Sequence, residues 1–217
     1  MKLYKIIFFS VCMICAISSN AQKSLSEGSL VYTISVETGS AEPKMADMLD
    51  GATTTVYLKG NMSRTEMVSG LGTEATIHNA ATGNGVILKE YSGQKLMITL
   101  SPQDWQKNNK KYEGITFENT GETSIIDGFN CQKAVAKLKD GSTFTVFYTP
   151  DVTLPNKNYD YQFKTLPGLP VQYEMQSAKM NFKFTLSKIN YDNVPASKFE
   201  IPKSGYRIMT YDETKVK

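Results

Sequence analysis

Few residues in this chain could do chemistry. Of its 217 residues, one is His and three are Cys. His78 lies in Thr76-Ile77-His78-Asn79, at the end of a β-prone run and before a Gly-containing turn. A catalytic imidazole needs a nucleophile and an orienting carboxylate in space, and no Gly-x-Ser-x-Gly elbow accompanies this one. His78 is therefore expected at the surface or in a turn. Cys131 could act as a nucleophile in a positive setting or at a helix N-terminus. Lys133, two residues on, shares its strand face and gives modest support. A free Cys is more commonly a small buried hydrophobe, and an intermolecular disulfide is the further alternative in an oxidising compartment. No Asp-x-Asp-x-Asp loop is present, and one His with so few Cys excludes zinc sites built from those two types. No catalytic residue, metal site or cofactor is predicted.

Other features point to binding. Lys107, Lys110 and Lys111 form a basic knot beside Trp105 and Tyr112. It is either a docking point for a lipid headgroup or acidic partner, or a solvated loop. Ten Met occur, eight of them after residue 21: Met45, Met48, Met62, Met67, Met97, Met175, Met180 and Met209. Met adapts to irregular apolar surfaces, so these residues either fill gaps in a core or line a cavity. In Leu166-Pro167-Gly168-Leu169-Pro170, each Pro fixes its own φ and Gly168 permits a positive one. That favours a rigid turn bringing Leu166 and Leu169 together, or a lip at a cavity rim.

Residues 1–21 read as an export signal. Lys2 and Lys5 precede an apolar stretch of 12 residues, 6–17, and small residues then lead to a cut after Ala21. The apolar run is shorter than the roughly 20 residues of a spanning helix. Ile14 before Cys15 does not fit a lipidation site, so a soluble periplasmic or secreted protein is expected, neither lipid-anchored nor, given the short apolar run, an integral membrane protein. Cleavage would remove two of the three Cys and two Lys, leaving Cys131 alone and 22 basic against 21 acidic residues. An internal disulfide is then excluded. The formal charge of +3 falls to +1, too little to attract nucleic acid.

The remaining chain, 22–217, reads as one β-rich domain. Leu30, Tyr32, Ile34 and Val36 alternate with smaller or polar residues and share one strand face. Further β-prone runs cover 53–59, 62–69, 73–79, 86–91, 95–100, 114–120, 130–139, 143–149, 171–177 and 180–189. In the last, Met180, Phe182, Phe184 and Leu186 face one way. Turn-like separators such as Lys59-Gly60-Asn61 and Ser92-Gly93-Gln94 suit antiparallel connections. Two short helices are predicted. One spans 42–49, with Pro43 in its first turn and Met45, Met48 and Leu49 on one face. The other follows Ser101 as N-cap and Pro102 at N1, and carries Trp105. The predicted class is mainly β: a single large curved antiparallel sheet, an incomplete barrel, with two short covering helices.

Several segments resemble a known group of proteins. Thr165-Leu166-Pro167-Gly168-Leu169-Pro170 resembles the motif of the GLPGLI family of exported bacterial proteins, with Thr165 replacing the leading Gly and Pro170 the final Ile. Ile126-Asp127-Gly128-Phe129-Asn130-Cys131-Gln132-Lys133-Ala134 is similar to an Ile-x-Gly-Tyr/Phe-x-Cys-x-Lys/Arg-Ala signature of related envelope families. Phe147-Tyr148-Thr149-Pro150-Asp151 and the closing Phe199-Glu200-Ile201-Pro202-Lys203-Ser204-Gly205-Tyr206 follow the same order, the last with one extra residue. The resemblance makes Gly128, Cys131, Pro167, Gly168 and Pro170 the motif residues. It implies the fold of the lipoprotein carriers LolA and LolB, an incomplete barrel closed by short helices over an apolar cavity. It implies no reaction.

Together these readings predict a non-enzymatic exported protein that holds a lipid, acyl chain or lipoprotein anchor in the concave face of its sheet. The expected ligand-facing residues are Met45, Met48, Leu49, Trp105, Leu166, Leu169, Phe182 and Phe184. The alternative is a protein–protein or structural module with a partner in the cell envelope. An enzyme is the third reading and needs titratable groups converging in a cleft.

Overall fold

A computed structural model of the protein describes residues 22–38, 48–177 and 180–215. The predicted export signal, Met45 and most of the predicted first helix lie outside the described residues; Met48 and Leu49 are helical.

The strands are β1 (Lys23–Ser24), β2 (Glu27–Thr38), β3 (Thr53–Lys59), β4 (Met62–Ser69), β5 (Gly72–Asn79), β6 (Gly85–Tyr91) and β7 (Gln94–Leu100). After a short helix α1 (Pro102–Asn108) come β8 (Thr116–Ile126), β9 (Phe129–Lys137), β10 (Thr143–Thr149), β11 (Val152–Thr153), β12 (Leu169–Ser177), β13 (Met180–Asn190) and β14 (Arg207–Thr210). Twelve of them form one sheet in the order β14-β7-β6-β5-β4-β3-β2-β13-β12-β10-β9-β8, while β1 and β11 pair separately in parallel. The large sheet is antiparallel except where β14 lies parallel to β7. It is not closed: among the described residues β8 and β14 each keep a free edge. The mainly β, single-sheet architecture is as the alternation predicts.

Local chemistry explains the hairpins. Asp127 and Gly128 both have positive φ, 46° and 82°, and form the two-residue turn between β8 and β9. A turn of that kind matches the twist of the strands it joins and selects Asp-Gly. The motif glycine Gly128 is thus a hairpin requirement. Ser92-Gly93 does the same between β6 and β7, with φ of 50° and 76°. α1 begins as predicted: Ser101 Oγ accepts from the Asp104 N–H at 3.2 Å, and Asp104 Oδ2 accepts from the Ser101 N–H at 3.1 Å.

Register carries one side-chain face across the sheet. Val146 stands opposite Tyr173, Tyr173 opposite Phe184, and Phe184 opposite Ile34. The same face continues through Thr54, Met67 and Thr76 to Ile87 and Ile98. At one end this face is filled by the chain after β11. Leu154, Tyr159, Phe163 and Leu166 come down from two short 3-10 turns onto Leu30, Tyr32, Val146, Tyr173 and Leu186. At the other end α1 covers it, packing Trp105 against Ile98, Leu100 and Tyr211. The opposite face of β5 to β7 is covered by Val194 and Phe199.

Candidate functional site

Between the filled end and the α1 end, the described residues leave the curved face open. There Ile34, Ala52, Met67, Met175, Phe182 and Phe184 line an apolar groove of about 200 Å³, with Leu49 on one wall. The period-2 alternation of β2 and β13 aims Ile34, Phe182 and Phe184 at the groove. Phe184 stacks on Tyr173, ring centres 4.8 Å apart and 5° from parallel. Phe163 meets Tyr173 edge-on at 4.7 Å, so Tyr173 links the groove's Phe184 to the filling segment.

The predicted ligand-facing residues therefore separate. Leu49, Phe182 and Phe184 converge on the groove. Met48 is 44% exposed and is not part of its lining. Leu166 and Leu169 are fully buried in the main core and present no surface to a ligand. Trp105 lies on the same sheet face but at the far end, where it stacks on His78. Sequence reasoning missed Ile34 and Ala52 as lining residues, the β2 alternation being the available signal for Ile34, and named Met67 and Met175 only among eight Met that fill a core or line a cavity.

The Leu-Pro-Gly segment is structural in detail. Gly168 does not take a positive φ. It is needed because a Cβ there would overlap the Thr149 carbonyl oxygen and crowd the Tyr148 ring. Pro170 is buried and its carbonyl accepts from the Tyr32 hydroxyl at 2.9 Å. Pro167 sets the entry to β12 just before Gly168.

The titratable groups are dispersed. His78 is not in an exposed turn: it is 2% exposed, and burial lowers its imidazole to about 4. The turn residues after it are at the surface, but the side chain points inward at Ser63 and Gly85 register and meets α1. Cys131 is buried, and burial raises its thiol to about 11. Lys133 does not activate it; its ammonium pairs with Glu122 at 2.7 Å. Among the described residues no three His, Cys, Asp or Glu side chains group as metal ligands. The basic knot is also divided: Lys107 sits between Asp104 and Asp212 at 3.6 and 3.7 Å, whereas Lys111 lines a separate cleft.

No family model matches the chain, and no curated protein matches it in sequence. The GLPGLI resemblance thus rests on the motifs alone. Solved structures with a similar outline include MucB, at TM-score 0.40 and 10% identity over 85% of this chain and 60% of that one. Others are PNGF-II, at 0.47 and 14% over 86% and 33%, and a LolA superfamily protein from Nitrosomonas europaea, at 0.38 and 10% over 84% and 94%. The chain therefore spans less than two thirds of MucB and a third of PNGF-II. Among the described residues no helix is long and apolar enough to cross a membrane.

Proposed function

We propose that this chain is an exported, periplasmic or secreted protein that binds a hydrophobic ligand, with the acyl part of a lipid or lipoprotein anchor lying in the groove of the curved sheet. The observation that carries this reading is the stretch of the concave face that the described residues leave open, where Ile34, Met67, Met175, Phe182 and Phe184 line a groove between two covered ends. Apolar burial there stabilises a bound chain by roughly 25 cal/mol per Å² before ordering costs. Two Met and two Phe suit a chain without fixed shape, because Met adapts its conformation. Export rests on residues 1–21, and no catalytic role is proposed, since His78 and Cys131 stand in different, buried parts of the molecule.

Native mass spectrometry of protein purified from its own envelope should show a co-purifying lipid or acylated species. Phe184→Glu places a charge in the groove and should abolish that mass while the fold, followed by circular dichroism, persists. Protein recovered without lipid, and unresponsive to added acyl chains, would rule the reading out.

A second reading, an envelope module with a protein partner, is favoured by one feature. β8 is a long edge strand carrying Ile125 at 74% exposure, and free edges accept strands from other chains. Pulldown with Ile125→Lys against the unaltered protein separates it from lipid binding, which that substitution leaves unchanged.

A further inference from the structure

The sheet has a rift. β10 pairs with β12 only from Val146–Tyr173 to Thr149–Leu169. Beyond that point residues 143–145 pair with β9 alone and residues 174–176 with β13 alone. The two strands part, and a cleft of about 460 Å³ opens between them. Side chains from both sides of the sheet line it: Phe144 and Met175 from the concave face, Thr145 and Glu174 from the other. It is therefore a passage through the sheet. Met175 also lines the apolar groove, so the two spaces meet at one side chain.

Size and charge specify what such a passage would hold. The groove alone, at about 200 Å³, is below the roughly 300–1,000 Å³ of ordinary ligand sites. The rift, at about 460 Å³, lies within it, and a ligand reaching from one space into the other would use both. The rift has a mixed lining, with Val135, Leu138, Phe144 and Met175 beside its polar groups. Lys111 is its one cation, against the carboxylates of Asp140 and Glu174. Asn181 Nδ2 donates to Glu174 at 3.4 Å, which leaves Asn181 Oδ1 buried and without a donor among the described residues. Among the lining side chains carboxylates outnumber cations two to one; Lys183 stands opposite Glu174 in register, outside that lining, and Asp140 Oδ1 already accepts from the Ser142 N–H and hydroxyl.

Resting on the hydrophobic-ligand reading above, we infer that the rift between β10 and β12 takes the polar head of an amphiphile whose tail lies in the groove, and that this head is a hydrogen-bond donor, cationic or hydroxyl-bearing, and not an anion. The tail passes Met175, and the head remains beside Glu174 and Asn181.

The test is calorimetric titration with three single-chain amphiphiles of equal length, below their micelle concentrations: an alkylammonium, an alkyl glycoside and a fatty-acid carboxylate. The ammonium and glycoside should bind at least about tenfold more tightly than the carboxylate, in keeping with the energy of close charge pairs. Glu174→Gln, at an exposed position that does not support the core, should bring the ammonium to the level of the glycoside. Hydrogen exchange at residues 143–145 and 174–176 should slow on binding. Equal affinity for all three heads, a preference for the carboxylate, or exchange that slows only around Phe182 and Phe184 overturns the head-group assignment and leaves the groove reading standing. Failure of all three to bind overturns both.

Discussion

The ring of His78 lies flat against Trp105, with centres 3.9 Å apart and planes 10° from parallel. Both imidazole nitrogens are buried without a hydrogen-bond partner among the described residues. Burial holds the group at about 4, below its ordinary 6.5. The unfolded chain then takes up the proton first, so this residue's contribution to stability is present above 6.5 and is lost as pH falls towards 4. The shift corresponds to about 3 kcal/mol. Asp160 acts in the opposite sense: burial raises its carboxyl to about 6 from 3.8, against the opposing effects of the Gln162 N–H and Lys111. Its native form holds the proton longer, so its contribution is present below 3.8 and is lost as pH rises through 6.

Between pH 4 and 6 the two effects therefore offset each other. Urea denaturation across that range should show a shallow profile for the unaltered protein. His78→Phe, which keeps the stack on Trp105 and removes the unpaired nitrogens, should leave a stability that falls as pH rises from 4 to 6. Asp160→Asn should leave one that rises. Profiles unchanged by both substitutions would mean that neither group carries the linkage.

Gly168→Ala should destabilise the protein although the glycine has an ordinary φ. The added methyl group meets the Thr149 carbonyl and the Tyr148 ring, and forcing atoms into a packed core costs about 1–3 kcal/mol. The matched control is Gly141→Ala. Nothing lies within 4 Å of a Cβ there, but its φ of 85° makes the cost conformational. A second-site Tyr148→Leu should relieve part of the Gly168→Ala penalty and none of that at Gly141.

Two core substitutions should differ in a fixed order. Leu186 has no exposed surface and sits under the filling segment; Leu186→Ala should cost about 2–5 kcal/mol. Tyr32→Phe removes the hydroxyl that donates to the Pro170 carbonyl at 2.9 Å, joining β2 to the start of β12 across β13. Its cost should be about 1–2 kcal/mol. Guanidinium melts that reverse this order would show that the filling segment is not packed as described.

Cys131 should react slowly with a thiol reagent at pH 8 in the native protein and rapidly in urea. Burial raises its thiol to about 11, and the thiolate is the reactive form. Its rate should rise about tenfold per pH unit up to that value. Rapid native labelling would instead point to an exposed, functional thiol.

Much of the fold was legible from local pattern. The runs predicted at 53–59, 62–69 and 143–149 coincide with β3, β4 and β10. Ser101-Pro102 marked the start of α1, and the Gly-containing turns fell where hairpins lie. β8 runs six residues past its predicted end because the register shifts between Asn119 and Thr123. That irregularity, with Asn119 Oδ1 accepting from Gly121 N–H at 2.7 Å, interrupts the alternation which would have revealed the strand. β14 was missed for a different reason: four residues with Ile208 exposed show no buried face, and only pairing with β7 makes them a strand.

The candidate site was half legible. Alternation on β13 identified Phe182 and Phe184 as one-sided, but nothing local distinguished them from Leu186, which the same alternation places on the same face. Leu186 is covered by the segment after β11 and Phe184 opens to the groove. Leu166 to Pro170 was read as a turn with Gly168 free to take a positive φ, which it does not take, and turn chemistry does not say whether a segment forms a rim or a core.

What the sequence by itself determined is the sidedness of the regularly alternating strands, the positions of the hairpins and the poverty of reactive groups, because period, backbone φ and residue type act within a few residues. The tertiary structure alone decided which part of the apolar face stays open. It also decided that His78 meets Trp105 and that β10 and β12 part. Those outcomes depend on register between distant strands and on which later segment reaches the sheet first, and neither is encoded in any one stretch of the chain.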